Sequence, residues 1–368
     1  MKHPRLVRCT GPWLAASVLM IPMVLSAQTV PPTQESDWRR ANDAVGAFKR
    51  GHADILKWEQ ANLPAEANQI ASVQGMAVPT MDDAVRRAWR VHPSLARVQS
   101  RLGPQNVQII ETGRWVDLDP SLQRRVEDMD ELLEVATQAR KAWVDAVTAR
   151  QILRHRQTSL EAAQAANELG KRMVTVGNWS RLQQSPVQLA EASARMDLRR
   201  AQLAAAQAQS SLIKLLGLAG LETSLVLPDR LPDVPATALT EAELQKSAAA
   251  IQGQLPNAEQ LRNKALARSA INTYLAAHAL ALDSRDVVLK ERVYITEETV
   301  LHYNGMLKSV WDLLDETRNQ AQATADAISA QRDFWVAEAD LQWVMQGGAP
   351  DSFVSLGGAA EAPAAAAH

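Results

Sequence analysis

Three kinds of side chain in this sequence carry groups able to bind or react. His302 and Met306, with Met345 farther along the chain, bring imidazole and thioether groups of the type that hold copper. Their distribution argues for a structural role instead: among 7 histidines no two stand four apart on one helix. Asp312, Asp315 and Glu316 crowd three carboxylates into little more than one helical turn. Repeated around a pore, such a cluster favours cations; on a single chain it is a solvated helix face. Ser180 and Ser309 have no neighbouring base and suit helix N-caps. No Gly-x-Ser-x-Gly, no phosphate loop and no cluster of histidines with carboxylates at metal spacing occurs, so no cofactor is implied and an enzyme is not expected.

The elements that must position these residues are two long helices folded back on themselves, twice. Leu132, Ala139, Ala146, Leu153 and Leu160 stand seven apart, with Ala136 and Trp143 on the same face. The return arm steps by four and three through Val187, Ala194, Leu198, Ala201, Ala205, Ala208, Leu212 and Leu215, broken only by Glu191. This is helical periodicity, and a sustained seam of that kind requires a partner helix. From Arg125 to Lys171 an unbroken helix is roughly 70 Å long, too long for a compact globular domain. Leu275, Leu282 and Leu289, answered by Leu314, Ala321, Ile328 and Trp335, repeat the plan. The expected fold is all-α, two long antiparallel coiled-coil hairpins related as an internal repeat, each turning at a glycine, Gly177 and Gly305. Alanine-rich seams bury little apolar area per hairpin, so neighbouring hairpins must complete the burial and an oligomer is expected.

The ends of the chain set its compartment. Lys2, Arg5 and Arg8 followed by the apolar run Trp13 to Leu25 and by Ser26-Ala27 read as a secretory signal. That run is too short to span a bilayer, and Cys9, the only cysteine, precedes it. Removal of the signal leaves 36 basic residues against 41 acidic ones without a basic block, so nucleic acid is not an expected partner. The domain plan is a signal over 1–27, a leader and amphipathic helix over 28–80, a first repeat over 81–220, a connector over 221–256, a second repeat over 257–347, and a disordered tail over 348–368. Within it, Trp38, Ala41, Val45, Phe48 and Ile55 mark one helix face. Thr80 is the expected N-cap of a helix starting at Met81, and Leu225 to Leu227 read as a short strand. Thr240 with Glu243 forms a capping box.

The hairpin ends, Arg172-Met-Val-Thr-Val-Gly-Asn-Trp-Ser-Arg-Leu182 and His302-Tyr-Asn-Gly-Met-Leu-Lys-Ser-Val-Trp-Asp-Leu-Leu314, together resemble the TolC family, with its heavy-metal-associated outer-membrane efflux branch nearest. The likeness runs from about Met81 to Gly347 and extends into Gln331 to Leu341. It implies a homotrimer whose hairpins form a TolC-like periplasmic α-barrel through which substrate passes unchanged. It also implies that Gly177, Asn178, Trp179 and Ser180, with Asn304, Gly305, Met306, Leu307 and Ser309, meet a periplasmic adaptor (membrane fusion protein), and through it an inner-membrane pump. Met306 falls where that tip motif has an apolar residue. A tight turn needs a residue tolerant of positive φ, so Gly305→Val is expected to strain the second tip.

The sequence departs from the family where membrane strands are expected. Asn106 to Ile110 and Arg114 to Leu118 offer at most a small hairpin of strands, shorter than the 9 to 11 residues or so that a spanning strand needs. The second repeat has no such insertion, so little or no β-barrel is expected. Asp333, Glu338 and Asp340 are expected to face solvent or the lumen while Phe334, Trp335 and Leu341 pack. Two readings remain. The chain is either a duct component of a tripartite efflux system exporting metal ions or small toxic solutes, or a barrel-less soluble scaffold that binds an adaptor or a sibling channel. Both place an exported protein in the periplasm or at the periplasmic face of the outer membrane.

Overall fold

Trp89 and Trp143 each send an indole N–H to a distant backbone carbonyl, Leu132 at 3.0 Å and Val78 at 2.9 Å, and these two bonds fix the base of the molecule. The computed structural model describes residues 75–220 and 224–356, which lie in one compact unit. The expected signal, leader, amphipathic helix and residues 357–368 fall outside the described residues.

The chain enters through β1 (Met76–Ala77) and then α1 (Met81–Val91), capped by Thr80, whose hydroxyl accepts from the Asp83 amide as expected. After α2 (Leu95–Leu102) come α3 (Pro104–Glu111), a 3-10 turn at Trp115–Asp117 and α4 (Leu122–Arg125). The expectation of strands at 106–110 and 114–118 is therefore corrected. Gly103 ends α2 with φ +78, Pro104 takes the first position of the next helix, and Ile110 is buried on one face, a helical arrangement.

The first hairpin is α5 (Met129–Thr175, 47 residues), about 70 Å long, with α6 (Arg181–Leu215) returning. Its seam closes on Leu132, Ala139 and Ala146, all buried, with Ala136 and Trp143 beside them. Glu191, the residue that breaks the return seam, is reconciled there by hydrogen bonds from buried Asn167 on α5 and from Arg195. Those bonds, Asn167 first, hold its carboxyl below its ordinary pKa. A partly buried polar pair of this kind favours one register over its neighbours.

The connector carries β2 (Leu225–Val226), paired in parallel with β1 (Met76 against Leu225, Ala77 against Val226), and α7 (Glu241–Gln252) with both halves of the Thr240–Glu243 capping box. These two-residue strands are the only ones among the described residues. The second hairpin climbs through α8 (Asn257–Asp283), a π-helical stretch at Ser284–Leu289 and α9 (Lys290–Asn304), and descends through α10 (Val310–Val344). Helix α5 packs on both α6 and α10, and α10 on α8 and α9, so the order across the molecule is α6, α5, α10, α8/α9. The expected all-α architecture of two hairpins is what the structure shows. No helix among the described residues is long and apolar enough to cross a membrane.

Two cores hold the base. One gathers Trp89, Leu95, Leu132, Trp143 and Leu212; the other Leu244, Ile271, Tyr274, Phe334 and Leu341. The segment assigned to a disordered tail begins in contact with the second core, because Phe353, Val354 and Leu356 supply apolar side chains that pack there.

Candidate functional site

At the first tip the amides of Asn178 and Trp179 both bond to the Met173 carbonyl, at 2.9 and 3.1 Å, and Gly177 holds φ +81. At the second tip the amides of Leu307 and Lys308 bond to the His302 carbonyl in the same way, at 2.8 and 3.3 Å. The residue in the left-handed position there is Met306, with φ 61, whereas Gly305 has φ −79. The two turns are therefore the same turn, and the glycine of the second lies one residue ahead of the position that needs it.

This corrects the expectation for Gly305. A Cβ added at Gly305 comes no nearer than 3.5 Å to the Leu301 carbonyl oxygen, ordinary contact at an ordinary φ. The strain sits on Met306, whose side chain is 92% exposed. Three residues beyond each left-handed position stands the serine that caps the returning helix. The Ser180 hydroxyl accepts from the Gln183 amide at 3.3 Å, and the Ser309 hydroxyl from the Asp312 amide at 3.2 Å. Both capping boxes are complete, so the repeat extends to the atoms of the turn.

The tips also touch each other. Trp179 stacks on Trp311, the second residue of α10, with ring centroids 4.4 Å apart and planes 26° from parallel. Trp311 was not singled out in the sequence, although a tryptophan two residues after a capping serine is a signal that could have marked it. Around the stack the tips present Val176, Leu182, Met306 and Leu307 to solvent. Asn178 and Asn304 sit in the turns without side-chain bonds among the described residues.

The three candidate acids of α10 are each engaged within the chain. Asp312 closes the capping box, and the Ser309 hydroxyl and amide hold its carboxyl below its ordinary pKa. Asp315 lies 3.4 Å from Arg318, and Glu316 3.2 Å from Arg292 of α9. Among the described residues no three potential metal-binding side chains cluster, and Met345 is buried at the far end of α10 from His302 and Met306.

The expectation that Asp333, Glu338 and Asp340 face solvent or the lumen is overturned for Glu338 and Asp340, while Asp333 is half-buried. Asp340 is 0% exposed and ion-paired with Lys141 of α5, although neither carboxylate oxygen meets hydrogen-bond geometry. Glu338 faces Arg140, whose buried guanidinium donates to the carbonyls of Ile110 and Glu111; burial pushes Glu338 up to about 7 and Arg140 down to about 10. Arg332 bridges Asp333 at 2.8 Å and Asp145 of α5 at 2.7 Å. Glu338 and Asp340 point inward because the α10 face that carries them is the one laid against α5, where two basic residues in a row, Arg140 and Lys141, wait.

No protein-family model and no curated protein matches the chain. Solved structures give distant likenesses. The outer membrane protein VceC of Vibrio cholerae is 12% identical, with a TM-score of 0.47 over 73% of this chain and 96% of that one. CusC, described for its transmembrane channel formation, is 12% identical with a TM-score of 0.43 over 77% and 94%. The Campylobacter jejuni outer membrane channel CmeC is 12% identical with a TM-score of 0.42 over 66% and 67%. Likenesses this distant assign no function and no residue to the chain.

Proposed function

We propose that the protein is the wall segment of a homo-oligomeric helical duct, a TolC-like component of a tripartite efflux system for metal ions or small toxic solutes. One observation carries the reading. Leu182, Leu189, Met196 and Leu203 lie seven apart along α6 and are 50–82% exposed. On the opposite edge Leu301, Tyr294 and Val287 lie seven apart along α9 and the π-helical stretch, 56–61% exposed. Each is an apolar heptad stripe without a partner helix among the described residues, and large exposed apolar stripes mark association surfaces.

The stripes match in level. Leu182 follows Gly177 by the same interval as Leu301 precedes Met306, so an α6 of one copy beside an α9 of the next, tips aligned, pairs Leu182 with Leu301, Leu189 with Tyr294 and Met196 with Val287. Because the two stripes lie on different edges, the contact is head-to-tail, the kind that builds a ring when the rotation between neighbours closes. The tips then form a rim that offers Gly177 to Ser180 and Asn304 to Ser309 to a periplasmic adaptor, with a homotrimer as the expected ring, coupled through the adaptor to an inner-membrane pump. Glu316 and Asp315, although paired within the chain, repeat around that rim.

Disulfide crosslinking tests the pairing. Leu189→Cys with Tyr294→Cys should give a ladder of covalent oligomers in the periplasm, whose top rung counts the copies, while Leu189→Cys with Leu301→Cys should give none. Equal crosslinking of both pairs would sink the reading. A second reading, a soluble periplasmic scaffold that binds an adaptor or sibling channel without conducting, is favoured by the two-residue strands of the described residues. Recovery in the soluble fraction and absence of conductance in lipid bilayers would select it.

A further inference from the structure

Where the two hairpins meet, a groove of about 760 Å³ runs along α5 between α6 and α10. Half of the residues lining it are alanine or serine, among them Ala142 and Ala149 on α5, Ala201 and Ala208 on α6 and Ser329 on α10. Walls this small let another backbone approach closely, and only a segment with small side chains would fill the space at the density of a protein interior. The cations that line the groove are already matched: Lys141 pairs with Asp340, and Arg332 with Asp145 and Asp333.

One lining residue comes from beyond the helices. Ser355 stands on the groove while its neighbours Phe353, Val354 and Leu356 pack against the cores at the base of α10. Residues 357–368 therefore leave from the groove itself. Seven of them are alanine and two are glycine, and Glu361 is the only one with a carboxylate side chain.

Beyond the tipward end of the groove stands a cation without a counter-charge. Arg156 lies one heptad past Ala149 on α5, and it donates at 2.7 Å to Gln322, one heptad before Ser329 on α10. No carboxylate among the described residues forms an ion pair with Arg156, and its guanidinium has five N–H donors to satisfy. The reach fits. From Lys141 to Arg156 α5 rises roughly 22 Å, and an extended chain from Ser355 to Glu361 covers about 20 Å, which the long arginine and glutamate side chains complete. Gly357 and Gly358 cost a helix its stability, and Pro363 turns Ala362 away from helical geometry, so an extended path suits the segment.

We propose that residues 357–363 lie extended along this groove as a strap across the seam between the two hairpins, with the Glu361 carboxylate on Arg156. The strap ties α6 and α5 of the first hairpin to α10 of the second and closes the groove to any other helix. Groove and strap belong to one copy, so the proposal does not depend on the duct.

Thiol labelling of the full-length chain tests it, with Cys9→Ser removing the chain's own cysteine and Ala149→Cys placing one on the groove. A maleimide should label Ala149→Cys at least about fivefold more slowly in the full-length chain than in a chain ending at Leu356, at every protein concentration. Glu361→Arg and Arg156→Glu should each speed labelling of the full-length chain about two- to fivefold, as expected for loss of one half-exposed ion pair, and the two reversals together should restore protection. Equal rates in the full-length and shortened chains overturn the proposal. Protection that grows with protein concentration also overturns it, because a neighbouring copy then supplies the cover. Protection that neither reversal weakens removes Glu361 from Arg156, and the path of the strap with it.

Discussion

The second tip turns through Met306 rather than Gly305, and the consequence can be measured. A side chain in the left-handed region costs about 1–2 kcal/mol relative to the right-handed one. Met306→Gly removes that cost but raises the entropy of the unfolded chain, leaving a net gain of about 0.5–1 kcal/mol. Gly177→Val places a β-branched side chain at φ +81, at a loss of at least about 2 kcal/mol. Gly305→Val keeps φ near −79 and meets nothing closer than 3.5 Å, so its cost stays below about 1 kcal/mol. Hydrogen exchange read by mass spectrometry on the tip peptides reports these changes, because the amides of Asn178 and Trp179 and of Leu307 and Lys308 exist as hydrogen-bonded donors only while each turn is closed. At about 1.4 kcal/mol per tenfold change, Gly177→Val should lower protection of the first turn some 30-fold, Met306→Gly should raise that of the second a few-fold, and Gly305→Val should change it less than about fivefold. A Gly305→Val protein less protected than the Gly177→Val protein would refute the assignment of the left-handed residue and with it the equivalence of the two turns.

The Trp179–Trp311 stack should couple the hairpins. Alanine at both positions in a double-mutant cycle read by thermal unfolding is expected to show an interaction of about 1 kcal/mol, and strict additivity would show the stack to be incidental. Glu338, held neutral by burial up to about 7, binds a proton in the folded state that the unfolded chain releases near its ordinary 4.5. Stability therefore falls as pH rises between those values and levels off above 7, by at most roughly 3 kcal/mol, and urea titrations of Glu338→Gln should show that slope flattened. Lys141→Met strands the buried Asp340 carboxylate, and loss of about 3 kcal/mol at neutral pH is expected, restored in large part by adding Asp340→Asn.

Local chemistry made much of this protein legible in its sequence. The seams at Leu132, Ala139 and Ala146, the caps at Thr80, Ser180, Thr240 and Ser309, and the short strand at Leu225 depend on residues near one another in the chain, and such dependence shows as spacing. What failed to show depended on which surfaces meet. Val107 and Ile110 read as strand residues until Pro104 and the underlying core made them one face of α3. Glu338 and Asp340 read as solvated until α5 brought Arg140 and Lys141 against them, since an acid on an apolar helix can be buried only where a distant segment supplies its cation. Gly305 marked the second tip but not the residue that bears its strain, because hydrogen bonding to the His302 carbonyl, rather than the glycine, sets where the chain turns. Periodicity determined the rods and their ends; the pairing of one rod against another decided which polar groups are sealed inside, because burial is a property of two surfaces in contact.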